Sequence, residues 1–249
     1  MIRIIPSDKR HFSDFGWLKT YWLFSFSSYF DPENIQFGAL RVFNDDIVAP
    51  GTGFPTHPHR EMEIITIVLE GEITHKDSMG NKMVIRAGDV QRMSAGTGLT
   101  HSEFNLGDEP VHFYQVWIYP DQQKLKPSYE QNTFAREQWQ NRLLPVASGQ
   151  ENIDGTVEFH TDATIYRSEL EKGIEIVFPV SETRRVFVYV TEGELNINGR
   201  TLEKHAQGRI DLEKELKIEA LSDSHFILID VPSCKGWGYD EQTLKGDRA

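Results

Sequence analysis

Ile64-Ile65-Thr66-Ile67-Val68-Leu69-Glu70-Gly71-Glu72-Ile73 is the stretch that decides the fold of this chain. A run of β-branched and aliphatic residues enters a Glu-Gly-Glu turn and leaves it as a second strand. A near copy, Val190-Thr191-Glu192-Gly193-Glu194-Leu195, follows, its glycine 193 − 71 = 122 positions later. That offset is close to half of the 249 residues, so the repeat predicts two similar β units in tandem.

The rest of the chain agrees with an all-β barrel or sandwich class. Phe113 to Tyr119, Val186 to Val190 and Phe226 to Val231 are rich in β-branched and aromatic residues. Lys76 to Asn81 and Ile197-Asn198-Gly199-Arg200 read as hairpin turns. Helical periodicity is scarce, and the best candidate helix is the polar stretch from Ala135 to Arg142. Pro120 to Gly155 reads as a connector, which sets the expected units at residues 1–132 and 133–249.

Charge and composition exclude several classes. The formal charge is 26 − 38 = −12 and no Lys/Arg run occurs, which argues against nucleic acid or an anionic membrane as partner. No apolar segment approaches membrane-spanning length, and Met1 to Phe12 lacks a signal-peptide core. Cys234 is the single cysteine, so an intrachain disulfide and a cysteine-rich zinc site are excluded. A cytoplasmic location is the expectation.

Two short strings carry the chemistry. His57-Pro58-His59 and His101-Ser102-Glu103 each place two metal-capable side chains at i and i+2. On a strand such a pair shares one face; on a helix it lies about 200° apart and cannot share an ion. Two strands facing each other could therefore deliver three imidazoles and one carboxylate to one metal. Adding 122 to these positions lands on Pro179, Ser181, Asp223 and His225, so the pattern is absent from the second half. Glu63 is a second candidate carboxylate, and the spacing alone does not choose between it and Glu103. His11, His75 and His112 have no such frame and read as surface or packing residues, while Glu70 and Glu72 read as solvated charges. Tyr21-Trp22-Leu23-Phe24-Ser25-Phe26 either closes the barrel or lines a flat-ring pocket, and Gln115 and Trp117 share a strand face that could point at the metal cavity.

The region from Gly51 to Gly71, with His57, His59 and Glu63, resembles the first cupin motif, and Gly88 to Asn105 the second. HPHREMEIIT, LEGEI, HKDSMGN, AGD, MSAGTGLTHSE and YQVW follow one another as in the pirin family, and TYWLFSFSSYFDP and PSYEQ are similar to its bacterial, quercetinase-type members. The resemblance covers most of residues 1–132 and is loose beyond. It implies a bicupin, an N-terminal metal-binding cupin followed by a C-terminal one without ligands. It implies metal ligation by His57, His59, His101 and Glu103, with Glu63 holding a ligand imidazole from behind. Where common members carry glycine and an aromatic residue, this chain has Glu61-Met62. A thiolate-free ligand set suits one divalent transition metal among iron, nickel, copper, manganese, cobalt and zinc, and the resemblance makes iron the expectation. The implied activity is cleavage of a flavonol such as quercetin by dioxygen with release of carbon monoxide, Glu103 serving as general base. A non-enzymatic, redox-responsive pirin with a protein partner is the rival reading, and a cupin enzyme acting on another small aromatic or enolisable substrate is a third.

Overall fold

The computed structural model describes residues 1–151 and 153–233; Cys234 lies outside them. Among the described residues there are four sheets and two single 3-10 turns. The first unit pairs a seven-stranded sheet, in spatial order Ser128–Thr133, Asp89–Ser94, Glu63–Glu70, Val111–Ile118, Leu40–Val48, Leu18–Trp22 and His11–Asp14, with a four-stranded one. The smaller sheet runs Gly53–His59, Leu99–Phe104, Glu72–Asp77, Lys82–Arg86. In the second unit Glu175–Pro179, Glu215–Ala220, Glu194–Ile197 and Arg200–Glu203 repeat that order, so the all-β tandem is present as read.

The Glu63–Glu70 strand shows why the deciding stretch is apolar on both faces around the single Thr66. Ile64 and Val68 face the interior of the first barrel, while Ile65 and Ile67 face the other unit. A strand buried on both faces has no polar side to show. Ile65, Ile67, Phe43, Tyr114 and Val116 join Phe187, Tyr189, Ile227 and Ile229 of the second seven-stranded sheet in one core. Phe43 is its hub, with ring centroids 5.0, 5.3 and 5.1 Å from Tyr114, Phe187 and Tyr189. Phe43→Ala is expected to cost about 3–5 kcal/mol, the range for a buried phenylalanine; urea unfolding measures it, and a loss under about 1 kcal/mol would contradict a shared core.

Buried polar contacts also cross the junction, among them a group around Asp45. The Tyr189 hydroxyl donates to Asp45 Oδ2 at 2.7 Å, His112 Nε2 lies 2.6 Å from Asp45 Oδ1, and Arg10 donates to Tyr189 at 2.7 Å. Burial pushes the Asp45 carboxyl up, but the bond to and charge of His112, with Tyr189 and Arg10, outweigh it and hold the group below its ordinary value. His112 is therefore a packing residue, as is His11, which stacks on Trp22 and Tyr29.

Three expectations change. The stretch 135–142 holds only the 3-10 turn Arg136–Gln138: Asn141 sits at φ 55°, which stops a right-handed helix, and only Trp139 is buried. The segment 120–155 is more than a connector, since Ser128–Thr133 pairs with Asp89–Ser94 and Leu144–Ser148 joins the second unit. Ile2–Ile5 crosses over and pairs with Gln207–Asp211, burying Ile2 and Ile4 against the second barrel. The 198–199 turn is as read, with Asn198 and Gly199 at φ 48° and 79°, the double left-handed conformation of a two-residue hairpin loop. Among the described residues no helix is long and apolar enough to cross a membrane.

Candidate metal centre

Strand alternation stacks the interior of the first barrel in three layers. One end is apolar, with Val42, Ile64, Met93, Leu99 and Trp117. The other end holds Leu18, Val48, Val68, Ile73, Ile85 and Phe113. Between them, on the inward positions of the same strands, lie Thr20, Asn44, Asp46, Thr66, Gln91, Gln115, His75, His101 and Glu103, all buried. The second barrel has no such belt: Val186, Val188, Val190, Leu195, Ile197, Leu216, Ile218, Phe226 and Leu228 fill it. Buried polar side chains cost free energy unless partnered, so a polar belt inside one barrel and not its copy marks a site.

His57 and His59 come from Gly53–His59 and His101 and Glu103 from Leu99–Phe104, each pair at i, i+2 on a strand. The two strands are antiparallel neighbours in one sheet rather than facing strands, and His57 and His101 are direct cross-strand partners. A register shift between His101 and Glu103 takes up an extra residue on the partner strand, so Glu103 pairs with Phe54. Gly53 makes that approach possible: a Cβ there would overlap the Glu103 carbonyl oxygen and stand 2.6 Å from the Phe104 Cα. Gly53→Ala is expected to force these strands apart, lowering the melting temperature by several degrees and metal retention with it; an unchanged melting curve and metal content would contradict the close approach.

The three imidazoles converge, with ring centroids 4.4 Å apart for His57–His101, 4.7 Å for His57–His59 and 4.9 Å for His59–His101. One nitrogen from each lies within 4.8 Å of the others. His57 Nδ1 donates to the Pro55 carbonyl at 2.8 Å, which leaves Nε2 with its lone pair free. His101 Nε2 is buried and has no hydrogen-bond partner. Burial and the neighbouring His57 push the His59 imidazole down to about 3, and burial among His59, His57 and His75 drives His101 further down. His59 and His101, whose charged forms are disfavoured, crowd with His57 around an orphaned nitrogen, which is what a cation-binding site presents, so these residues fit a metal.

Glu103 sits one step deeper. Gln115 Nε2 donates to its Oε2 at 3.1 Å, and the Thr66 hydroxyl lies 2.9 Å from Gln115 Oε1 and 3.4 Å from Glu103 Oε1. Burial pushes the carboxyl up to about 7 against those hydrogen bonds. Its close group is with His101 and His75, the three offering one atom each within 4.8 Å. His101 therefore belongs to two triads. His75 is not a surface residue: it is fully buried beside the site, and its place at i+2 from inward-facing Ile73 was the available signal.

Glu63 does not hold a ligand imidazole. Its Oε2 accepts from Ser94 at 2.6 Å and its Oε1 lies 3.4 Å from His160 Nδ1, at the junction with the second unit. Strand parity is the reason: Ile64 and Thr66 point into the barrel, so Glu63 points out. Gln115 and Trp117 do face the site, Trp117 lying edge-on to His59 at 4.9 Å. The aromatic stretch divides: Phe24 turns to the unit junction, while Trp22 and Phe26 continue the row from Trp117.

In the second unit the register corrects the constant offset. Glu103 is the partner of His75, and Ile218 that of Ile197, which is 75 + 122; so the matching strand is offset by 218 − 103 = 115, not 122. Leu216 and Ile218 stand where His101 and Glu103 stand in the first unit, and Phe178 lies opposite Leu216. Asp223 and His225 belong to the approach and start of the next strand. A separate cleft of about 320 Å³ between the units contains His112, His205 and His225, but these are bonded to Asp45, Arg10 and Glu169 respectively and form no ligand cluster.

Two barrels of the same topology, one with a histidine cluster in a polar belt and one with an apolar interior, define a bicupin whose metal-capable side chains, among the described residues, lie in the first barrel. The chain belongs to the pirin family. The family model described as Pirin matches residues 6–118, and that described as Quercetinase C-terminal cupin domain matches residues 145–231. The chain is 41% identical over 233 residues to the quercetin 2,3-dioxygenase of Escherichia coli K12, covering 93% of this chain and 99% of that protein. It is 40% identical over 231 residues to the pirin-like protein of Caulobacter vibrioides, covering 93% and 100%. The bacterial pirin YhhW of Escherichia coli in complex with nickel(II) superposes with a TM-score of 0.88 at 41% identity, over 94% of this chain and 100% of that one.

Proposed function

We propose that this protein is a metal-dependent dioxygenase that cleaves a flavonol such as quercetin, with His57, His59, His101 and Glu103 of the first unit (residues 1–132) holding one divalent transition metal and the second unit (residues 133–249) serving as an apolar scaffold. The observation that carries the reading is the buried, partnerless Nε2 of His101 among three convergent imidazoles. The name of the Escherichia coli relative and the nickel(II) complex of its fold-mate support it. Bound there, the metal supplies Lewis acidity toward the flavonol 3-hydroxyl and a route for electrons to dioxygen. Iron is the first choice and nickel, seen in the relative, the second.

The chain's own residues do the rest. Glu103, buried beside the three imidazoles and held by Gln115, takes the proton of the 3-hydroxyl as general base. The Gln115 amide and Thr66 hydroxyl fix where that carboxylate sits. Trp117 and Phe26, in edge contact at 5.3 Å, form an aromatic wall beside His59 against which flat rings can lie. Dioxygen then adds across carbons 2 and 4 of the deprotonated ring. As the O–O, C2–C3 and C3–C4 bonds break, carbon 3 leaves with its own oxygen as carbon monoxide, one dioxygen atom stays on each of carbons 2 and 4, and Glu103 returns the proton to the new carboxylate.

The test is elemental analysis of the purified protein, then loss of the flavonol absorbance band under air with Fe(II), Ni(II), Cu(II), Mn(II) or Co(II), each with and without chelator. Metal-dependent loss with carbon monoxide evolved is the expected result. Glu103→Gln should keep part of the metal and lose turnover about 100-fold or more, the scale of a missing general base; full activity in that variant sinks the base assignment. No metal-dependent loss with any of these ions would favour a binding or regulatory pirin with a protein partner.

A further inference from the structure

Behind His101 a second pair of side chains extends the site into the barrel wall. His75 Nδ1 lies 3.5 Å from His101 Nδ1, and His75 Nε2 lies 3.1 Å from Asp77 Oδ2. The side chains of His75 and Asp77 are fully buried. The pairing of the two strands creates this arrangement, since Asp77 is the cross-strand partner of His101 and His75 that of Glu103. Asp77 is itself held: it accepts from the backbone N–H of Met79 at 2.9 Å and from the Asn81 side chain at 2.8 Å. The Tyr129 ring covers His75 at 4.9 Å.

The proton positions in this row follow from one fact. His101 Nε2 is the nitrogen without a partner, so it is the one free for an ion. Its Nδ1 then carries the proton and donates toward His75 Nδ1. That leaves the His75 proton on Nε2, where it donates to the Asp77 carboxylate. Every donor meets an acceptor, with one negative charge at the buried end. A charge-assisted bond at the far end strengthens the next one, which fixes the His101 ring and makes its Nε2 a better donor.

We infer that Asp77 and His75 are positioning residues that orient and electronically load His101 for the metal, an inference that rests on the metal reading given above. Neither residue touches the ion or the substrate in this scheme.

The experiment measures Ni(II) binding to the full chain by competition with a chromogenic chelator, with the Cu(II) electron paramagnetic resonance spectrum as a second readout. His75→Phe, which keeps the ring and removes both nitrogens, should weaken Ni(II) about 10–100-fold, the cost of losing an outer partner of a ligand. Asp77→Asn should weaken it several-fold. His75→Gln, whose amide oxygen can still accept from His101, should recover part of the loss. Val68→Ala, which opens a cavity in the apolar end of the same barrel, should lower the melting temperature but leave the affinity and the copper spectrum unchanged. Wild-type affinity and an unaltered copper spectrum in His75→Phe would overturn the inference. So would a second equivalent of Ni(II) that His75→Phe abolishes, because His75 would then be a ligand. A wild-type chain that binds no Ni(II) would overturn the metal reading itself, a result distinct from both.

Discussion

His101→Ala is expected to strip the protein of metal and of flavonol cleavage together. His101 is the one side chain common to both close groups, His57–His59–His101 and His75–His101–Glu103. Its loss removes a ligand, cuts the Asp77–His75 row from the site, and leaves His57 and His59 on a partly exposed strand. The fall in Ni(II) affinity should exceed the roughly 100-fold upper range for losing an outer partner. A thermal readout separates this from misfolding. Ligand at about 100 times its Kd adds about 2.7 kcal/mol, worth about 5–10 °C in a domain pair of this size. The wild type should show that rise on adding Ni(II) and the variant none, while both melt cooperatively without metal. A variant that still melts higher with metal would place the ion elsewhere.

The second large effect concerns the polar belt itself. Asp46 is buried in it, and burial, with the nearby Asp45 and Glu103 charges, pushes its carboxyl from 3.8 to about 7 against a bond from Thr20. A carboxyl raised in the folded state opposes folding wherever the unfolded chain is already ionised. Stability should therefore decline as pH rises from about 4 to about 7 and level off above that. At 1.36 kcal/mol per pH unit the full effect is about 4 kcal/mol, an upper bound that water in the belt reduces. Asp46→Asn should make the metal-free protein about 2–4 kcal/mol more stable in urea at pH 8 and change little at pH 4. Part of the slope should persist, because Glu103 is raised to about 7 for the same reason. Equal urea midpoints for the two proteins at pH 8 would show that Asp46 is hydrated and not desolvated. The same group explains why such a belt is kept where it is useful: the second barrel, filled with Val, Leu and Ile, carries no such cost.

Much of this was legible because β-structure writes itself locally. The run from Ile64 to Leu69 announced a strand, and the Glu-Gly-Glu turns at Gly71 and Gly193 announced a duplicated unit. The i, i+2 spacing of His57/His59 and His101/Glu103 was enough to group side chains on strand faces, since alternation needs no knowledge of neighbours. The same rule gave no parity for Glu63: which face of its strand is inside depends on the partner sheets, and the structure turns Glu63 outward to Ser94 and His160. The constant offset of 122 failed at Asp223 and His225 because the second unit has seven fewer residues between its matching strands, 122 − 115, which only the pairing of Ile197 with Ile218 reveals.

The sequence by itself determined the strands, their turns, the duplication and the two histidine-bearing strings, all set by contacts within a few residues. Tertiary structure alone decided that those strings are adjacent strands, that His75 and Asp77 stand behind His101, that Ile2–Ile5 crosses to the second barrel, and that Asp46 shares a buried belt with Glu103. Sheet neighbours are chosen by burial and register between residues far apart in the chain, and no local pattern encodes that choice.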